Sequence, residues 1–333
     1  MKKLSKISLG HWPTPLHFLP RLTDKLGGPS IYIKRDDLSG HALGGNKARK
    51  LEYIFANAYQ QGIDTIITSG SSQSNFALQT AAAARKLGMD AYCVLVKGVH
   101  VEIQGNLLLH HILDSHIRIL DVQDPSEMFT KMPKIMNELA DELRNKGKTP
   151  MVITAGGENP IGTAGWVYAV EEIAQQLKEK AIHIDSIILA DGGLGTQSGL
   201  ILGLKYFHLP LKVIGISVLP HKKQALQEII SLTNETAALL ELDVQIMPED
   251  IIFFDDYIGE GYGIPTSGCI QAIRLVAQTE GIFLDPVYTG KAFAGLIDLI
   301  GKGYFKKDEK ILFIHTGGIA ANFAYYEELI KMK

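Results

Sequence analysis

The chain has 333 residues, enough for one large or two ordinary domains, and its 46% hydrophobic and 21% charged content suits a globular protein with a sizeable core. A net charge of -3 gives no reason to expect nucleic acid as a partner. The two cysteines, Cys93 and Cys269, lie far apart in apolar segments, which argues against a disulfide framework and for a reducing, cytoplasmic setting. The basic start, MKKLSKISLGHWP, lacks a continuous apolar run, and no stretch approaches the ~20 apolar residues of a membrane span; neither signal peptide nor membrane contact is expected.

In chain order, the first distinctive stretch is GGNKARKLE (44–52), two glycines and an asparagine leading through Lys47 into a helical pattern. Strand-like apolar runs then alternate with helical patterns. The runs are DTIITS (64–69), AYCVLV (91–96), IRIL (117–120), MVIT (151–154), SIILA (186–190), KVIGISV (212–218) and ILFIHT (311–316). Each is short and continuous, as strands buried on both faces of a parallel sheet are. Helical patterns lie between them: SNFALQTAAAARKLG, IQGNLLLHHILDS, PSEMFTKMPKIMNELADELRNKG and TAGWVYAVEEIAQQLKEK. This order predicts an α/β fold with right-handed crossovers.

Several runs end in turns rich in glycine or serine that open helices: TSGSSQSN (68–75), TAGGENPIGTAG (154–165), ADGGLGTQSG (190–199) and HTGG (315–318). Ligands of open α/β sheets bind at the carboxyl ends of strands, where helix N-termini offer free N–H groups. One such turn means little; several together point to a phosphorylated or carboxylated ligand. ADGGLGTQSG departs from the dinucleotide fingerprint, and no acidic residue follows the next strand, KVIGISVLP. A dehydrogenase site is therefore disfavoured, and a single-phosphate cradle at a helix N-terminus fits better.

Lys47, by itself, could be a solvated lysine opening a helix. Its separation from the phosphate-like loop, roughly 145 residues later, also suits a site in which one segment holds an amine and another a phosphate. Pyridoxal phosphate is the usual cofactor of that kind. Ser71–Asn75 concentrates more neutral polar groups than an N-cap needs and could bind a substrate carboxylate. GYGIPTSG (261–268) and DPVYTGKA (285–292) each place a tyrosine in a turn, for packing, stacking or proton transfer. His110 and His111 form no metal set, and no HExxH, C-x-x-C or GxSxG occurs, so neither a catalytic metal nor a serine hydrolase is expected.

Taken together, IYIKRDDLSGHALGGNKARKLEY, QSN, GYGIP, EGIFLDPVYTGKAFAGLIDLI and ILFIHTGG resemble the D-cysteine desulfhydrase and 1-aminocyclopropane-1-carboxylate (ACC) deaminase family, in order from about residue 12 to 326. The resemblance implies the tryptophan-synthase-β-like (fold type II) architecture of pyridoxal-phosphate enzymes. A larger domain would comprise 1–50 and 165–333, a smaller inserted domain 51–164, with the active site between them. It implies pyridoxal 5'-phosphate as cofactor, a small amino acid as substrate and a homodimer as assembly. Lys47 would be the Schiff-base lysine, with the adjacent glycines and Asn46 letting the chain pass close to the cofactor. Lys47, Ser74, Tyr262 and Tyr288 would carry catalysis. Asn75 would bond the ring hydroxyl; Gly192, Gly193, Leu194, Gly195 and Thr196 would hold the phosphate; Thr316 would face the pyridine nitrogen, with Tyr288 near the ring face. Gln73, Ser74, Tyr262 and Thr289 would meet substrate. ACC deaminases typically read DPVYEG and D-cysteine desulfhydrases DPVYTG, so Thr289 favours D-cysteine. Phe76 and Leu78 stand where the family usually has histidine and arginine, and TAGGENPIG differs from its usual small-residue loop. Both departures bear on substrate preference; a silent cofactor binder is the reading from another class.

Overall fold

The computed structural model describes residues 1–121 and 125–331. Among the described residues, ten strands form two sheets: β1 (Leu16–Phe18), β2 (Ser30–Lys34), β3 (Thr65–Ser71), β4 (Asp90–Val96), β5 (His116–Leu120), β6 (Pro150–Ile153), β7 (Ser186–Asp191), β8 (Lys212–Ser217), β9 (Ile252–Phe254) and β10 (Lys310–Ile314). The six-stranded sheet runs β1-β2-β10-β7-β8-β9, the four-stranded one β5-β4-β3-β6. Every pair is parallel except β1 with β2. The helices are α1 (Pro20–Leu26), α2 (Lys47–Gln60), α3 (Asn75–Lys86), α4 (Gly105–Ile112), α5 (Pro125–Asn145), α6 (Pro160–Glu179), α7 (Gly195–Tyr206), α8 (Lys222–Leu239), α9 (Ser267–Glu280), α10 (Thr289–Gly301), α11 (Ala321–Ala324) and α12 (Tyr326–Lys331).

The continuous apolar runs are explained by burial on both faces. In β7 and β10, Ile187, Leu189, Leu312 and Ile314 join one core with α6, α7 and α8. Their neighbours Ile188, Ala190, Ile311 and Phe313 point the other way, into a core with α1, α9 and α10. The smaller sheet repeats the scheme: Ala91, Cys93 and Leu95 pack with α2 and α3, while Val94 and Val96 pack with α5. β5 is the exception. It was expected to be buried like the others, but it is an edge strand with three of its five residues exposed. Among the described residues no helix is long and apolar enough to cross a membrane.

α2 joins the two halves. Its start lies against the end of β10, where Asn46 N–H donates to Thr316 O at 3.0 Å and Gly45 bridges to Gly317. From Leu51 onward it belongs to the core of the smaller sheet. The glycines before Lys47 earn their place here: Gly44 and Gly45 have φ of 79° and 140°. A Cβ on Gly44 would collide with the Asp37 carbonyl, and one on Gly45 would lie 3.0 Å from Thr316 O. Their observed job is close backbone passage past Asp37 and Thr316.

Candidate active site

The carboxyl ends of β3, β7 and β10 converge with the starts of α2, α3, α7 and α10. Lys47 is the first residue of α2, its side chain 18% exposed, and its Nζ lies 4.0 Å from Glu158 Oε1. Burial, and then the charge of Lys50, bring the Lys47 amine down to about 8, against the opposing pull of Glu158 and Asp191. Asn46 Nδ2 donates to Thr196 Oγ1 at 2.9 Å, so the lysine segment and the glycine loop are directly bonded. As acceptor there, the Thr196 hydroxyl keeps its own proton to donate.

The loop Gly192–Thr196 turns β7 into α7. Leu194 caps the helix in a left-handed conformation, φ 66°, with its side chain buried in the core. Its N–H donates to Asp191 Oδ1 at 2.9 Å. Gly195 N–H donates at 2.6 Å to Glu158 Oε2, and the Glu158 carboxylate also accepts from Lys50 Nζ at 2.9 and 3.0 Å. A Cβ on Gly193 or Gly195 would collide with that carboxylate. So the cradle's donors, a helix-N-terminal N–H and a fully buried lysine, already hold an anion. This donor set fits a phosphate, and the Lys47 amine lies beside it, 4.0 Å from the same carboxylate.

The tyrosines close one side. Tyr262 and Tyr288 hydroxyls are bonded to each other, their rings edge to face with centroids 5.8 Å apart. Tyr288 lies beside the cradle, 3.4 Å from where a Gly192 Cβ would stand. Ser71 Oγ is 3.4 Å from Tyr262 O. Burial raises both phenols above their ordinary range, so both are neutral near pH 7.

Ser74 is the N-cap of α3, its Oγ accepting from Ala77 N–H at 3.2 Å. Asn75 opens the helix, and its Oδ1 accepts from Asn106 Nδ2 at 2.9 Å, leaving the amide's NH2 as the donor on offer. Thr316 is largely buried at the end of β10, its carbonyl held by Asn46. Two positions expected to meet substrate make hydrogen bonds within the chain. Gln73 was expected to meet substrate, yet both ends of its side-chain amide are engaged, accepting from Asn106 N–H at 2.8 Å and donating to Gln104 O at 3.2 Å. Thr289 is fully buried, its hydroxyl donating to Asp285 Oδ1 at 2.6 Å and accepting from Asp285 N–H at 2.8 Å. Its contacts are those of a turn-stabilising residue. Phe76 is core, packed against Gly157 below the loop that carries Glu158.

Glu158, Lys50, Asp191 and Asn106 escaped the sequence reading. TAGGENPIG and GGNKARK flagged the first two segments without saying that they meet. Asp191 is buried with Oδ2 unpartnered. Burial first, and then the charge of Glu158, push it up to about 7. A raised folded value stabilises fully below the ordinary carboxylate range, near 3.8, and that contribution is lost as pH rises through about 7. Asp191→Asn should therefore gain on the wild type between pH 5 and pH 8, by on the order of 2 kcal/mol, in urea unfolding of the cofactor-free protein. Parallel pH profiles for the two proteins would refute it. Among the described residues, no group of three or more His, Cys, Asp or Glu side chains could hold a metal ion.

Comparison with known proteins gives the family. The model of the family described as "Pyridoxal-phosphate dependent enzyme" matches residues 7–317. A Pyrococcus horikoshii protein provisionally named as a 1-aminocyclopropane-1-carboxylate deaminase is 44% identical over 332 residues, covering 100% of this chain and 97% of its own. D-cysteine desulfhydrase of Klebsiella pneumoniae is 41% identical over 335 residues, covering 99% and 98%. The crystal structure of an ACC deaminase homologue superposes with a TM-score of 0.90 at 42% identity, over 99% of this chain and 97% of that one. An amine beside an anion cradle, in a chain matched over nearly its whole length, leads to one assignment: the chain belongs to the pyridoxal-phosphate-dependent enzyme family, with the fold type II architecture and the cofactor that this membership entails.

Proposed function

We propose that the chain is a D-cysteine desulfhydrase, converting D-cysteine and water to pyruvate, hydrogen sulfide and ammonia, in a cleft between a domain of 1–50 and 165–333 and one of 51–164. The observation that carries the choice is position 289. A threonine, engaged with Asp285, follows Tyr288 where the ACC deaminase pattern has a glutamate. The second reading, ACC deamination to 2-oxobutanoate and ammonia, is favoured by the 44% identity to the Pyrococcus horikoshii relative.

Lys47 would hold the cofactor's aldehyde carbon, Gly192–Thr196 with Lys50 its phosphate, Asn75 its ring hydroxyl, and Thr316 would lie toward its ring nitrogen. A threonine hydroxyl there would not keep that nitrogen protonated as a carboxylate would. When bound, the cofactor supplies an electron sink for the pair left when the substrate's α-proton departs. Lys47 Nζ takes that proton; with a pKa of about 8, about a tenth of the free amine is neutral at pH 7. The N-terminus of α3, with Ser74, orients the substrate carboxylate. One phenol of the Tyr262–Tyr288 pair donates to the other, which leaves a second phenolic proton to pass to the departing sulfur as the β-carbon–sulfur bond breaks. The Lys47 ammonium returns its proton to the phenolate, the enamine product moves a proton from its nitrogen to its β-carbon, and water then replaces nitrogen at the α-carbon, releasing ammonia.

Sulfide release from D-cysteine, run beside L-cysteine and ACC with the cofactor-loaded protein, tests the reading. Sulfide is expected from D-cysteine, with kcat/KM for ACC at least ~10-fold lower; a 10-fold preference is about 1.4 kcal/mol in the transition state. Ketoacid from ACC without sulfide from D-cysteine would reverse the two readings.

A further inference from the structure

The Glu158 carboxylate sits on the donors that a phosphate needs. It accepts from Gly195 N–H at 2.6 Å and, through both of its oxygens, from the Lys50 ammonium at 2.9 and 3.0 Å. It also fills the space over Gly193 and Gly195, where even a Cβ would collide with it. Two anions cannot share those donors: each would desolvate the other's hydrogen bonds and add like-charge repulsion at contact distance. The facing groups are Lys47 and Lys50 on α2, Gly195 N–H at the start of α7, and Asp191 at the end of β7, which adds no positive charge to hold a second anion.

Glu158 has somewhere to go. Its side chain is 21% exposed. It lines a cavity of about 550 Å³ bounded by Ile54, Asn57, Ile153, Asn159 and Pro160. Departure of the carboxylate into that space would free Gly195 N–H and leave Lys50, fully buried, in need of a new anion.

We infer that Glu158 is an internal competitor for the cofactor's phosphate: its carboxylate holds the cradle, and the phosphate binds by displacing it toward the adjacent cavity. Glu158 thereby sets cofactor affinity and keeps Lys50 paired before the cofactor arrives. The inference rests on the cofactor and on the cradle assigned to its phosphate, not on which amino acid is consumed.

The test measures equilibrium binding of inorganic phosphate and of pyridoxal phosphate to the cofactor-free protein and to Glu158→Gln and Glu158→Ala. Glutamine keeps the size and one acceptor but not the charge; alanine empties the position. Both are expected to bind phosphate and cofactor about 10-fold tighter or more, alanine most. Glu158→Ala should also unfold at lower temperature than the wild type without ligand, since Lys50 has lost its partner, and recover more than the wild type when phosphate is added. Equal or weaker binding of phosphate by the variants would overturn the inference, because a merely structural glutamate loses both stability and affinity on removal. Should the alanine variant fail to fold, Glu158→Gln decides alone. Covalent attachment of the cofactor, fixed by borohydride, is scored separately. Tighter phosphate binding without attachment at Lys47 keeps the competition and removes the lysine assignment; attachment with unchanged phosphate affinity does the opposite.

Discussion

Lys47→Ala should lose turnover by on the order of 10³-fold or more, and should lose covalent capture of pyridoxal phosphate altogether. The physical ground is the state of two neighbouring amines. Lys50, one turn further along α2, is fully buried, with its ammonium committed to Glu158 and to Gly156 O at 3.2 Å. Among the described residues, the ion pair of Lys47 is the longer 4.0 Å contact with Glu158. Burial and the charge of Lys50 lower Lys47 to about 8, so the neutral, nucleophilic form is accessible near physiological pH. Capture should therefore quicken as pH rises through about 8 and then level off. The check is mass spectrometry of peptides after borohydride reduction, with the label on the peptide containing Lys47 and placed there by fragmentation. A label on Lys50, or retained capture in Lys47→Ala, would sink the assignment. A retained far-ultraviolet circular dichroism spectrum guards against simple unfolding. Lys47→Arg is a second control, since a guanidinium keeps the charge but cannot deprotonate.

The parts of this fold that were legible in the sequence are those whose cause is local. SIILA and ILFIHT read as strands because both faces are covered and Ile187–Ala190 and Ile311–Ile314 are apolar throughout. β1, β2 and β9 went unread because LHF and IFF are three residues long and SIYIK carries polar ends. IRIL was misjudged as buried because an edge strand can be as apolar as a central one; only the sheet order exposes it. In the site, the glycine turns could be found because positive φ and close approach demand glycine. Leu194, left-handed without being glycine, could be included only by resemblance. Glu158, Lys50 and Asn106 were invisible for a different reason. Their partners lie 37, 108 and 31 residues away, and no periodicity or spacing encodes such a meeting. Thr289 shows the converse: a motif position can be recognised while its observed contact, to the Asp285 carboxylate, is not.

Arg49→Ala is expected to destabilise the protein by about 3–5 kcal/mol in urea unfolding, the usual cost of removing one partner from a buried ionic cluster. Arg49 is two residues beyond Lys47 and 5% exposed. Its guanidinium forks onto Asp36 through Nε at 2.7 Å and Nη2 at 2.9 Å, and onto Glu172 through both Nη atoms at 2.9 Å. It stacks over Trp12 at 4.0 Å and faces Trp166 at 5.2 Å. Without it, the fully buried Asp36 loses its counter-charge, and Glu172 is left with Lys34 Nζ at 2.5 Å. Burial alone would raise Glu172, but the Arg49 hydrogen bonds and charge, with Lys34, bring it down to about 2. A depressed carboxylate stabilises above its ordinary range near 4.5, and that contribution is lost as pH falls through about 2, so the wild type's advantage over Arg49→Ala should narrow between about pH 4.5 and pH 2. Arg49→Lys keeps a charge but not the fork, and should restore less than half of the loss. If Arg49→Ala stayed within about 1 kcal/mol of the wild type, the cluster would count as surface pairing and not as a buried anchor. The anchor matters for chemistry because it ties Thr14, Asp36 and α6 to the turn of α2 that begins with Lys47. Arg49→Lys should therefore bind pyridoxal phosphate more weakly than the wild type while still attaching it at Lys47, which separates holding the lysine in place from being the lysine.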